Sequence, residues 1–240
     1  MIVVVGLNFE ARIAAGPGIA VLCGGTGGTL AALLERAIDK GTRGLLSFGV
    51  AGGLDPMLRP GACIVASEVL AGSERIPCDA GWVSKLLAAM PEAVHGSVVG
   101  VPAPVACPRR KATLHADTGA VGVDMESHVV ARYAAVHGLP FAVLRAVTDP
   151  AERALPGSVL AGMRANGTSD PFGVFKALLR RPGELPAVLR TARDAWAARN
   201  TLIRGRDKLG MQMSLLTNDP GPRVTARHSA ASPLEGALQP

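Results

Sequence analysis

Short apolar runs alternate with helical patterns along most of this chain, and this alternation constrains its fold more than any other feature. The apolar runs predict strands at 2–5, 19–23, 44–48, 62–67, 98–101 and 141–147, and the periodic segments predict helices at 30–38 and 127–137. Strands and helices in this order give an α/β domain with helices on both faces of a sheet. Each predicted strand ends in a polar or glycine-rich turn, which is where such a sheet binds its ligand.

Composition limits the class of protein. Hydrophobic residues make up 48% of the 240 residues, which excludes a mainly disordered chain. The longest uncharged window, 13–34, holds six glycines and a proline, so it predicts a strand, a turn and a helix rather than a membrane span. The first residues lack the basic region of a secretory signal, and we therefore expect a cytoplasmic protein. The four cysteines are widely spaced, and no ligand cluster predicts a metal site.

The C-terminal part of the chain has a different character. Residues 171–240 carry 11 Lys and Arg against 5 Asp and Glu, whereas residues 1–170 are balanced. Aromatic residues total only 3%, so this basic segment does not predict a nucleic-acid site. The pattern predicts helices at 172–179 and 185–204, which either cap the domain or provide a surface for a membrane or an amphipathic ligand. From about 217 to 240 the composition predicts a disordered tail.

Two polar segments stand out as candidates for chemistry. Residues 123–127 lead into a helix, and residues 144–150 end a strand. Apolar neighbours of the carboxyl groups of Glu126 and Asp149 predict partial burial, which raises the pKa of an acid and lets it donate a proton near neutral pH. From spacing alone, Asp149 capping a turn and Glu126 pairing with Arg145 are equally open.

The order of three motifs resembles a known superfamily. Gly49-Val50-Ala51-Gly52-Gly53, Asp124-Met125-Glu126-Ser127 and Arg145-Ala146-Val147-Thr148-Asp149 are similar to segments of the nucleoside phosphorylases and nucleosidases, which include methylthioadenosine/adenosylhomocysteine nucleosidase. The resemblance spans roughly 1–165. Segments at 6–12, 78–82, 154–156 and 181–186 look like the hopanoid-associated phosphorylase, or adenosylhopane nucleosidase, subfamily and extend the match to about 210.

The resemblance implies a fold and an activity. The fold is a three-layer α/β/α sandwich around a mixed, twisted sheet, in a single domain over 1–210 whose residues 171–210 form a C-terminal helical extension. The activity is cleavage of the N-glycosidic bond of an adenine nucleoside, most specifically adenosylhopane. Relatives share their pocket between subunits, which implies a homo-oligomer. No metal or organic cofactor is implied, although phosphate is a candidate co-substrate.

The resemblance also assigns roles to residues. Asp149 would protonate or hydrogen-bond N7 of the purine, Glu126 and Met125 would hold the ribose, and Glu10 would polarise the attacking water. The other substrate-binding residues, in or next to the matching motifs, are Ala51, Gly52, Val123 and Thr148. Arg12, near the first glycine turn, suits phosphate binding.

Three alternatives remain open at this stage. Glu10 stands four positions after Gly6, whereas the nucleosidases place their glutamate five positions after the matching glycine, and the phosphorylases' Gly-Asp-Pro-x-Arg motif is absent, so water and phosphate are both candidate nucleophiles. The substrate is either the lipid nucleoside or a small one, as in a general purine nucleoside phosphorylase or methylthioadenosine nucleosidase. A non-catalytic nucleotide-binding or membrane-associated module is the alternative of another class.

Overall fold

The computed structural model describes residues 1–24, 27–162 and 170–209. The strands are β1 (Ile2–Val5), β2 (Ala20–Cys23), β3 (Leu45–Gly53), β4 (Cys63–Ala71), β5 (Glu74–Pro77), β6 (Val94–Gly100), β7 (Gly122–Asp124) and β8 (Phe141–Asp149). The helices are α1 (Asn8–Ala14), α2 (Gly27–Ala37), α3 (Ala80–Ala89), α4 (Pro108–Thr118), α5 (Ser127–His137), α6 (Gly157–Ala161), α7 (Pro171–Arg180) and α8 (Leu185–Leu209). Every strand and helix predicted from the apolar patterns is present; 2–5 and 127–137 have the predicted bounds, and the others have shifted ends.

The described strands form one mixed sheet that partly closes on itself. β3 pairs in parallel with β8, which pairs antiparallel with β4; β4 and β7 both pair in parallel with β6, and β7 returns antiparallel to β3. These five strands therefore make a ring, from which β1 and β2 extend on one side and β5 on the other. The fold class expected from the sequence is confirmed, but the alternation of strands and helices gave no sign of the ring.

Helices cover both faces of the sheet. Successive side chains of a strand point to opposite faces, and on β8 Leu144 lies against Gly205 of α8, whereas Arg145 donates a hydrogen bond to Ser127 of α5. Helices α1 and α3 pack with α8, and α2 packs with α5. The architecture is thus a three-layer α/β/α sandwich, and β3 and β8 are buried almost throughout because they lie in its middle layer.

The glycine segment 49–53 is strand rather than the turn expected from its composition. β3 continues through it because its pairing with β8 runs on to Gly52, with a register shift between Ala51 and Gly52. Glycine is needed within this strand for space: a side chain at Gly49 would lie 2.6 Å from Oε1 of Glu10 and 2.7 Å from Nη1 of Arg145.

The long helix α8 is part of the core. Ala198, Leu202 and Leu209 are buried on the face that packs against β8. Thr201 Oγ1 donates a hydrogen bond of 2.7 Å to the carbonyl oxygen of Gly61, and Asp194 pairs with Arg153. The tail predicted at 217–240 lies outside the described residues.

Because α8 supplies core side chains, we expect Leu202→Ala to destabilise the whole protein. Leu202 is fully buried, so its truncation should lower the free energy of unfolding by about 2–5 kcal/mol in urea titrations. Leu189→Ala on the exposed side of the same helix is the matched control and should change it by less than about 0.5 kcal/mol. A separate unfolding step for α8, or equal effects of the two substitutions, would show that residues 185–209 do not belong to the main domain.

Candidate active site

A cavity of about 320 Å³ opens where β3, β7 and β8 end. It is lined by Gly6, Leu7, Phe9, Glu10, Val50, Ala51, Gly52, Val101, Pro104, Val105, Val123, Asp124, Met125, Glu126, Thr148, Asp149, Leu155, Val159, Thr191 and Ala195. All four of the ionisable residues in this lining are acidic. The rest of the lining is mainly apolar, so each carboxyl group sits in a poorly hydrated environment.

The carboxylate of Glu10 is held by backbone donors. Its Oε2 accepts hydrogen bonds from the N–H groups of Gly6 (2.9 Å) and Leu7 (2.8 Å), and its Oε1 accepts one from Val50 (2.7 Å). An ionised carboxylate has about four acceptor positions, so one position remains on Oε1. Burial raises the pKa of Glu10, although Arg145 and the three N–H donors act in the opposite direction. The carboxyl group of Glu10 is therefore held in one orientation, with one acceptor position left for a ligand.

A buried guanidinium compensates the neighbouring acids. Arg145 on β8 has no exposed surface; its Nε lies 2.6 Å from Oδ2 of Asp124, and its Nη2 lies 3.3 Å from Oε2 of Glu126. The same Nη2 donates to the hydroxyls of Ser47 (2.7 Å) and Ser127 (3.2 Å). The Ser127 hydroxyl in turn donates to Asp124. The sequence left open whether Glu126 pairs with Arg145, and the structure contains this pair. Glu126 also lines the cavity.

The carboxyl group of Glu126 is also strongly perturbed. Burial raises its pKa to about 8; Arg145 lowers it, while the negative charges of Asp124 and Glu10 add to the rise. Three carboxyl groups share one guanidinium here, so one of them holds its proton near neutral pH. Gly6 permits this crowding, because a side chain on it would lie 2.5 Å from Oε1 of Glu126.

Asp149 is compensated separately, by a buried lysine. Nζ of Lys111, on α4, lies 2.6 Å from Oδ2 of Asp149, and Lys111 has no exposed surface. Oδ1 of Asp149 accepts a 2.7 Å hydrogen bond from the hydroxyl of Thr148. Both carboxyl oxygens are thus fixed in direction by neighbouring donors. Sequence reasoning missed Lys111, because α4 has little apolar periodicity; Pro108 in its first turn and Gly119 after its end are the start and stop signals that mark the helix.

The structure brings together eight of the nine residues assigned from the sequence. Glu10, Ala51, Gly52, Val123, Met125, Glu126, Thr148 and Asp149 all line the cavity. Arg12 is exposed on α1 and does not line it. Two residues along a helix correspond to a rotation of about 200°, so Arg12 faces away when Glu10 faces inward. Among the described residues, no group of His, Cys, Asp and Glu is arranged to hold a metal ion.

Comparison with known protein families identifies the family to which the chain belongs. Residues 4–170 match the Phosphorylase superfamily, and the chain belongs to this family. No curated protein sequence matches it.

Solved structures share its fold at low sequence identity. A methylthioadenosine/S-adenosylhomocysteine nucleosidase from Helicobacter pylori, solved with butyl-thio-DADMe-Immucillin-A, is 16% identical, with a TM-score of 0.58 over 87% of this chain and 97% of its own. The futalosine hydrolase of Helicobacter pylori gives the same values. A methylthioadenosine/S-adenosylhomocysteine nucleosidase from Colwellia psychrerythraea in complex with adenine is 15% identical, with a TM-score of 0.59 over 87% of this chain and 94% of its own.

The raised pKa of Glu126 predicts how stability depends on pH. Between the ordinary pKa of a glutamate and about 8, the folded protein holds a proton that the unfolded chain has lost, so raising the pH through this window destabilises the fold. Glu126→Gln cannot lose this proton. The free energy of unfolding of the wild type should therefore fall relative to that of the variant, by at most about 1.4 kcal/mol per pH unit.

Urea unfolding from pH 5 to pH 9 measures this difference. Glu152→Gln, which removes an exposed carboxyl group, is the control and should run parallel to the wild type. If Glu126→Gln also runs parallel, the carboxyl group of Glu126 is ionised throughout this range and its assignment as a proton-holding group is wrong.

Proposed function

We propose that the protein hydrolyses the N-glycosidic bond of an adenine nucleoside. The observation that carries this proposal is the cavity with mainly apolar walls in which Glu10, Glu126 and Asp149 come together, each held by hydrogen bonds or an ion pair. Membership of the phosphorylase superfamily supports it, as does the adenine bound to the Colwellia protein of the same fold.

The chemistry requires compensation at both ends of the bond. When the bond between C1′ and N9 breaks, its electron pair moves into the purine and the ribose becomes an oxocarbenium-like cation. Asp149 donates a proton to N7 of the purine, while a hydrogen bond with Thr148 holds the carboxyl group in its orientation. Glu126 binds the ribose hydroxyls against Met125, and the negative charge around it favours the cationic sugar.

Water is the nucleophile that best suits this cavity. A water molecule that donates a hydrogen bond to the spare position of Glu10 Oε1 attacks C1′, and its proton moves to Glu10. The products are free adenine and the free sugar. None of the described residues that line the cavity is Lys or Arg, so no side chain of the lining is available to pair with a phosphate anion. Arg12, the residue expected to bind phosphate, is exposed on α1.

The proposal extends to a lipid-linked substrate, adenosylhopane. Leu155 and Val159, next to and within α6, and Ala195 of α8 give part of the cavity an apolar wall. Phe172, Phe175 and Leu179 form an exposed apolar face of α7, at 74%, 56% and 67% exposure. An apolar wall and an exposed apolar face suit a nucleoside attached to a polycyclic hydrocarbon.

The same helices support association with a membrane surface. Residues 171–209 carry nine Lys and Arg against three Asp and Glu, and this positive charge favours binding to the acidic headgroups of a membrane. None of the helices within the described ranges is long and apolar enough to cross a membrane. We propose a cytoplasmic homo-oligomer that binds the inner face of the membrane peripherally, uses no metal or organic cofactor and has no nucleic-acid partner.

Base release tests the proposed reaction directly. In phosphate-free buffer, the purified protein should release adenine and free sugar from an adenine nucleoside, and added phosphate should not raise the rate. Asp149→Asn cannot supply the proton and should lower kcat by about 10²–10⁴-fold. Adenine is followed by chromatography and the sugar by its reducing end.

Three outcomes would contradict parts of this proposal. A rate that requires phosphate and yields a sugar 1-phosphate would make phosphate the nucleophile. Full activity of Asp149→Asn would remove Asp149 from the reaction. Tight adenine binding without any base release by the unmodified protein would favour a binding module instead of an enzyme.

Substrate preference tests the lipid part of the proposal. With adenosylhopane in detergent micelles, methylthioadenosine and inosine, the lipid nucleoside should give the highest kcat/KM, because its hydrocarbon part is removed from water on binding. Phe172→Ser/Phe175→Ser should lower kcat/KM for adenosylhopane while leaving methylthioadenosine unchanged. Turnover confined to the small nucleosides would identify the protein as a methylthioadenosine or general purine nucleosidase.

A further inference from the structure

Lys111 is a fully buried cation that the reaction described above does not use. It lies on α4, outside the three motifs of the superfamily resemblance, and none of its surface is exposed. Isolated buried lysines are costly, so a lysine in this position needs a specific set of partners.

The partners of Lys111 are all oxygen atoms of one segment. Its Nζ contacts Oδ2 of Asp149 at 2.6 Å, and it donates to the carbonyl oxygens of Asp149 (3.1 Å), Pro150 (2.9 Å) and Arg153 (3.2 Å). An ammonium group has three protons and no acceptor, and four oxygens surround it here. Acceptors on all sides hold the ammonium group in one place, so Lys111 is a positive charge at a fixed position.

The ammonium group of Lys111 contacts the Asp149 carboxyl group at the oxygen that Thr148 does not bind. Thr148 donates to Oδ1, and Lys111 binds Oδ2. The three carbonyl contacts also fix the turn after β8, which leads to the cavity residue Leu155. Lys111 therefore sets both the direction of the carboxyl group and the position of the turn beside it.

We infer that Lys111 is a positioning residue for departure of the purine, acting through Asp149. Asp149 first takes up a proton from solvent on Oδ1, while the Thr148 hydroxyl donates instead to the carbonyl oxygen of Ala51 at 3.3 Å. As the C1′–N9 bond breaks, its electron pair passes to the purine, and this proton moves from Asp149 to N7. Asp149 is left as a carboxylate, whose new negative charge is compensated by the ammonium of Lys111 at 2.6 Å. The proton is restored from solvent through the cavity once adenine has left. This inference rests on the proposed hydrolysis and adds the residue that stabilises the product of its proton transfer.

The test compares two leaving groups. Purine departure needs the proton of Asp149, whereas 4-nitrophenolate, released from 4-nitrophenyl β-ribofuranoside, departs without one. We expect Lys111→Met to lower kcat for the adenine nucleoside by about 10²-fold and to change kcat for the nitrophenyl riboside by less than about threefold. Arg110→Met removes an exposed cation from the neighbouring position of the same helix and should change neither rate.

Two further variants keep the test decisive if Lys111→Met folds poorly. Lys111→Arg retains the charge but not the geometry, and it should lower purine release by about tenfold with the nitrophenyl rate preserved. The double variant Lys111→Met/Asp149→Asn removes both charges together and should release adenine no more slowly than Asp149→Asn alone, because the two residues act as one unit.

The outcomes separate this inference from the proposed function. Equal losses with the two leaving groups, or a double variant much slower than Asp149→Asn, would make Lys111 a purely structural residue and overturn the inference. Absence of adenine release by the unmodified protein would overturn the proposed function itself.

Discussion

The fully buried guanidinium of Arg145 is the interaction on which the sugar-binding end of the cavity depends. It joins residues of three elements, Ser47 on β3, Asp124 on β7 and Ser127 on α5, within one hydrogen-bonded group. Without this cation, the acids around it would be buried and uncompensated, a situation that typically costs about 3–5 kcal/mol. Because Arg145 is fixed by β8 in the middle layer, the acids that surround it are fixed relative to the sheet.

The structure separates its buried charges into two groups with different chemical properties. Around Arg145, three carboxyl groups share one cation, so the raised pKa of Glu126 follows from an excess of negative charge as well as from burial. Around Asp149, one carboxyl group faces one lysine and one hydroxyl, so a single cation serves a single carboxyl group. The first group suits a sugar that becomes positive, and the second suits a base that takes up a proton. This division fits a reaction that develops opposite charges at the two ends of one bond.

Sequence reasoning recovered the parts of the fold that rest on local patterns. Six of the eight described strands and the helices at 30–38, 127–137, 172–179 and 185–204 were found because apolar periodicity reports which face of an element is buried. β5 was missed because it is short and mostly exposed, and β7 because three residues are too few to show a period. α4 was missed because its sequence is mostly polar. The turn predicted at 49–53 is part of β3, since strand pairing there outweighs the weak strand propensity of glycine.

The sequence by itself determined the α/β class, the order of most elements and, through the family resemblance, eight of the residues that line the cavity. It did so because burial periodicity and motif order are local properties of a chain. Only the tertiary structure decided the closed ring of five strands, the exposed position of Arg12 and the pairing of Lys111 with Asp149. Lys111 and Asp149 are 38 residues apart, and no periodic signal connects them; they meet because α4 packs its one buried cation against the end of β8, where a buried carboxyl group needs a compensating charge.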